Sequence, residues 1–136
     1  MIYDLRDWSH SDGEALNRFD LILHSLRCND AQEASDEPYL VVNGDNVWNA
    51  TGVRSGQTRS LGNLEVPFGT NAQIDLWESD GSKSDRIGSF RVDFDDIRAL
   101  EPGQSREQPP HEFRRDRGIV GDASYTLRYS VRRANG

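Results

Sequence analysis

Lysine is nearly missing from this 136-residue chain. Lys83 is the only one, and arginine brings the basic total to just 16 against 23 acids, for a net charge of −7. Such a chain lacks the basic footprint that neutralises phosphates, which excludes generic nucleic-acid binding. It also lacks direct electrostatic attraction to an anionic lipid surface. Cysteine is equally scarce. Cys28 stands alone, so there is no intrachain disulfide framework and no cysteine-built zinc site. Nothing around Cys28 resembles a nucleophile motif, although His10, His24 and His111 are present; a small buried thiol ending an apolar strand is the expected outcome. No apolar run approaches the length of a membrane span. The N-terminus, Met1 to Asp7, carries acids and lacks the basic and apolar regions of a secretory signal. A cytoplasmic location is therefore the default, with a mature or non-classically exported chain left open. Internal repeats are absent, and no Ser–His–Asp, zinc or phosphate-loop motif occurs.

What is present favours strands. Twelve glycines, five prolines and only short apolar runs suit many short strands joined by turns rather than helices. Residues 1–18 read as a polar N-terminal arm, with capping-box spacing at Ser11 and Glu14 and with Trp8 and Leu16 as anchors. Residues 19–136 read as one domain. Its first strand covers 19–28, with Phe19, Leu21, Leu23, Ser25 and Arg27 on one face and Ile22, Leu26 and Cys28 on the other. His24 is expected to be a surface residue of that strand. A second strand covers 38–42, with Pro38 at its start, where the missing N–H is tolerated. Asn43-Gly44-Asp45-Asn46 has hairpin chemistry and leads into Val47 and Trp48. Residues 58–67 alternate weakly, 72–77 and 88–94 more clearly, and 124–132 strongly. The Pro-, Gln- and Arg-rich stretch 101–116 reads as a long loop. The architecture that accommodates these runs is an antiparallel β-sandwich, with Leu21, Leu23, Ile74, Leu76, Leu127 and Tyr129 in its core.

Two stretches carry acids where loops are expected. Asp30, Glu33 and Asp36 follow the first strand. Alternation after Ile74 and Leu76 stops at Glu78, and a Gly- and Ser-rich segment then carries Glu78, Asp80 and Asp85. Carboxylates in a polar loop between two strands are suitable oxygen ligands for a hard cation such as calcium, although acidic turns are also common simply because they solvate well. The strand directions implied by the short turns put both acidic loops at one end, where Asp30, Asp36, Glu78, Asp80 and Asp85 together can form a calcium shell.

With both loops placed, the chain resembles the C2 domains, a family of calcium- and phospholipid-binding sandwiches. Leu26, Asp30, Ser35, Asp36, Pro38, Tyr39 and Leu40 match the family's first loop and the strand after it. Trp77, Glu78, Asp80, Asp85, Ile87 and Gly88 match the second loop, and Tyr125, Leu127 and Tyr129 its aromatic last strand. The resemblance spans about residues 19–133. It implies Ca2+ as the bound ion and Asp30, Asp36, Glu78, Asp80 and Asp85 as its ligands. Glu37 is an extra residue before Pro38, so either Asp36 or Glu37 can fill one ligand position. Glu78 replaces the usual aspartate, and the second loop is one residue short. The lysine-rich strand that many members use for phosphoinositides is missing.

Three functional classes follow. One is a non-enzymatic calcium-binding module that meets a protein partner, or a membrane if calcium is bound. Another is a metal-free interaction domain using loops or exposed aromatics such as Trp48 or Trp77. The third is an enzyme, for instance a glycosidase with two carboxylates, for which acids alone give little support.

Overall fold

The computed structural model describes residues 18–115 and 122–135. The arm at 1–17, with its capping box and its Trp8 and Leu16 anchors, lies outside the described residues. Two antiparallel sheets face each other. The first is built from β4 (Thr58–Phe68), β1 (Phe19–Asp30), β9 (Ala123–Arg133) and β7 (Ser105–Glu107), in that order, with β8 (His111–Arg115) also pairing β9. The second runs β3 (Asp45–Asn49), β2 (Pro38–Val42), β5 (Asn71–Asp80) and β6 (Lys83–Asp93). One helical turn, α1 (Phe94–Ile97), follows β6. The all-β antiparallel sandwich expected from the alternating runs is the observed architecture. Leu21, Leu23, Ile74, Leu76, Leu127 and Tyr129 are all buried between the sheets.

The face assignment of β1 needs correction. Phe19, Leu21 and Leu23 are buried as expected, but so are Leu26 and Cys28, while Ser25 and Arg27 are not. The pairing of β1 with both neighbours shifts between Leu23 and Ser25. Against β9 the bulge adds one residue to β1, whereas against β4 the extra residues lie in β4; a one-residue shift moves every following side chain of β1 to the opposite face. The bulged His24 is half-buried rather than free at the surface. Its ring nitrogens contact Asn63 Oδ1 at 2.6 Å and Ser130 Oγ at 2.7 Å, tying the bulge to β4 and β9.

The expected loop at 101–116 is also corrected. It contains β7 and β8, both paired with β9, and Phe113 of β8 is buried. One apolar residue in five gives no periodicity to read, so the pairing partner decides. Opposite it, β6 leaves room with a glycine: a Cβ on Gly88 would stand 3.4 Å from the Phe113 side chain. Phe90, Phe113 and Tyr129 then pack ring on ring, with centroids 5.4–5.5 Å apart from Phe90 to each of the other two.

Candidate functional site

The segment expected to be a carboxylate-bearing loop is a tight hairpin. β5 continues to Asp80, the chain turns through Gly81 and Ser82, and β6 begins at Lys83. Gly81 has φ +61, where a side chain would be strained. Alternation therefore does not stop at Glu78. Ala72, Ile74, Leu76 and Glu78 are buried in strict succession, so the two-residue period places a carboxylate in a core position. Its register partner across the hairpin is Asp85.

The first acidic segment folds onto this hairpin. Pro38 of β2 pairs with Glu78. The Glu37 amide donates to Glu78 Oε2 at 3.2 Å, and the Ser79 amide donates to the Glu37 carbonyl at 2.9 Å. Gln32 Nε2 donates to Asp85 Oδ2 at 3.2 Å. Segments 32–37 and 78–85 thus share one end of the sandwich.

Each carboxylate has a different environment. Asp36 is 0% exposed and fully engaged: the amides of Gln32 and Glu33 donate to it at 2.8 and 3.1 Å, and the Tyr125 hydroxyl donates to Oδ2 at 2.6 Å. The Tyr125 hydroxyl is held far above its usual range, first by burial and then by Asp36, so it stays a donor. Glu78 is also 0% exposed, yet its Oε1 has no hydrogen-bond partner. Burial, opposed by the Glu37 amide and reinforced by Asp36, Glu33 and Glu37, pushes its carboxyl up to about 7. Asp85 is 23% exposed, with the Arg115 guanidinium 3.6 Å away, itself 17% exposed. Asp80 is exposed at the hairpin tip. Its charge is the first cause that raises the neighbouring Glu33 carboxyl, ahead of burial and of Asp36, Glu37 and Asp85. Asp30, at the end of β1, pairs with Ser124 and lines a separate groove with Glu112, Arg114 and Asp122.

Asp36, Glu78, Asp80 and Asp85 thus gather at one end, along with Glu33 and Glu37, while Asp30 faces the β8–β9 side. Among the described residues no group of three or more His, Cys, Asp or Glu side chains is arranged to hold a metal ion. Sequence reasoning missed Gln32, Arg115 and Tyr125, which together engage Asp36 and Asp85. Tyr125 is legible in sequence only as a core residue of an alternating strand, and no local signal marks what its hydroxyl meets.

Two facing antiparallel sheets make the described residues an all-β sandwich. The chain is similar to solved C2-domain structures. One, titled "Structure of a C2 domain", is 10% identical with a TM-score of 0.46, covering 84% of this chain and 95% of that one. A second, of extended synaptotagmin 2 with its SMP domain and both of its C2 domains, is 13% identical with a TM-score of 0.48, covering 84% of this chain. A calcium-bound structure of the paired C2 domains of extended synaptotagmin 2 is 12% identical with a TM-score of 0.45 and also covers 84% of this chain. The chain spans 27% and 45% of the lengths of those two longer proteins. No protein-family model matches the chain, and no curated protein matches it. No helix among the described residues is long and apolar enough to cross a membrane.

Proposed function

We propose that the chain is a non-enzymatic binding module whose acidic end takes up calcium and presents that end to a protein partner, or to a membrane once the metal is bound. The observation that supports this is the buried Glu78 carboxyl, with Oε1 unpartnered, among neighbouring acids whose charges help raise the Glu33 and Glu78 carboxyls. A hard divalent cation supplies positive charge beyond that of Arg115 and a partner for the unpaired Glu78 carboxylate oxygen. In this reading Glu78, Asp80 and Asp85 supply oxygens from the hairpin, Asp30 from the end of β1 and Asp36 from the segment after it. The residues fit in part. Asp36 is already satisfied, Asp30 faces elsewhere, and no ligand set is in place among the described residues, so binding requires the 31–37 segment to reorganise. That cost makes the affinity modest, and membrane contact depends on the metal to offset the net charge of −7.

A second reading, a metal-free protein-interaction domain, is favoured by the Arg115–Asp85 ion pair. A cation of the protein's own already stands at the acidic end, and Glu78 retains its proton in a large share of molecules near neutral pH. Thermal melting in calcium, magnesium or chelator separates the two. A ligand that binds only the folded state raises the melting temperature by mass action. Calcium-specific stabilisation supports the first reading, and superimposable curves leave the second.

A further inference from the structure

The outer surface of the second sheet carries a groove that borders the acidic end at Glu37, Ser79 and Ser84. The outer surface of the second sheet holds Tyr39 in β2, paired on one side with Trp77 and on the other with Asn49. The two rings are nearly parallel, 10° apart in plane with centroids 6.3 Å apart. One face of the Tyr39 ring is therefore backed by the indole, and the opposite face turns toward β3. Tyr39 lines an open groove of about 560 Å³ that crosses the sheet end, with Asn46 and Asn49 of β3 on one side of it and Glu37, Ser79 and Ser84 at the β5–β6 hairpin among others. Asn46, Asn49 and Ser84 are exposed. Among the described residues no Lys or Arg lines the groove, and the Glu37 carboxylate is its one charged group.

We propose that this groove binds a neutral saccharide. The argument is chemical. A ring held rigid by a second ring offers its electron-rich face to the weakly positive C–H groups of a sugar. Side-chain amides and hydroxyls supply donors and acceptors together, which is what a ligand made of hydroxyls requires. Glu37 adds an acceptor for sugar O–H groups. The same lining rejects the alternatives. A phosphorylated or sulfated ligand needs cationic partners, and none of the described lining residues is one. An extended peptide needs pockets for its alternate side chains, whereas this lining is mostly amide and hydroxyl with a single ring.

The test is a titration of the isotope-labelled protein, followed by amide chemical shifts, with cellohexaose, maltohexaose, chitohexaose and mannohexaose. Inositol hexakisphosphate and a heparin hexasaccharide serve as anionic probes, and a neutral hexapeptide as the peptide probe. Chelator is present throughout, so the outcome is independent of calcium uptake at the acidic end. The expected result is saturable shifts at Tyr39, Asn46, Asn49 and Trp77 with at least one neutral hexasaccharide. Asn49→Ala, on an exposed edge strand, should weaken that binding about tenfold, roughly 1.4 kcal/mol. Tyr39→Ala should weaken it further, and Asn49→Ala keeps the comparison valid if Tyr39→Ala fails to fold. Shifts at these residues with only the anions or only the peptide overturn the proposal. So does the absence of shifts with all four sugars, or binding that Asn49→Ala leaves unchanged.

Discussion

Glu78→Gln should remove a pH-dependent weakness from the fold. The Glu78 carboxyl sits in a core position with one oxygen unpartnered, and its pKa rises from 4.5 to about 7, mainly through burial. The sign follows from proton linkage. Below pH 4.5 the group is protonated in both folded and unfolded states and costs nothing. Between 4.5 and about 7 the unfolded chain has lost the proton that the folded protein retains, so stability falls as pH rises and the loss is complete above about 7. At about 1.4 kcal/mol per pH unit the difference amounts to about 3 kcal/mol. Glutamine keeps the shape and never ionises. His111 works in the opposite sense, because burial lowers its pKa and stability is gained as pH rises toward its unfolded value of 6.5; that contribution is common to both proteins and cancels in the difference. Urea unfolding followed by tryptophan fluorescence, in chelator at half-unit steps from pH 4.5 to 8, gives the stability of each protein. The gap between variant and wild type should widen in favour of Gln by about 3 kcal/mol over that range. A gap that stays constant to within about 0.5 kcal/mol would refute the burial of an ionising group at this position.

Leu76→Ala should cost about 2–5 kcal/mol in the same assay, because Leu76 is fully buried in the middle of β5; a cost under about 1 kcal/mol contradicts the packing. Tyr125→Phe removes the hydroxyl that donates to the buried Asp36 and should cost about 1–3 kcal/mol. Adding Asp36→Asn should not restore that loss, because Oδ1 and Oδ2 of Asp36 each accept a backbone N–H and either orientation of the amide sets an NH2 against one of them. Asp80→Asn changes an exposed acid and should leave chelator-state stability within about 0.5 kcal/mol of wild type. The same variant should lose most of any stabilisation by calcium, measured as the shift in melting temperature.

The sandwich is legible because strand burial has a period of two, and Ala72, Ile74 and Leu76 in one strand and Tyr125, Leu127, Tyr129 and Val131 in another recur at every second position. Where the period breaks, sequence reading fails. In β1 the buried apolar residues run Phe19, Leu21, Leu23 and then Leu26, Cys28, with two polar residues between Leu23 and Leu26. That skip is the signature of the bulge at His24, yet by simple alternation it places Leu26 and Cys28 on the opposite face. In β5 the period continues through Glu78, but a carboxylate in core phase looks like the end of a strand, because burying one is costly. β8 offers one apolar residue and no pattern; only β9 beside it and Gly88 opposite make it a strand. The acidic end is legible as composition. Its pairings are not, since Tyr125 with Asp36 and Arg115 with Asp85 join residues 89 and 30 positions apart.

The most direct test of the calcium reading is calorimetric titration of the wild-type protein with calcium at pH 7.5 and physiological ionic strength, repeated with magnesium. The account predicts saturable calcium uptake at micromolar to millimolar concentrations, with an observed heat that differs between buffers of different ionisation enthalpy, because the share of Glu78 still protonated must give up its proton. Heat no larger than dilution up to millimolar calcium would contradict it, leaving the acidic end neutralised by Arg115 and the Glu78 proton alone.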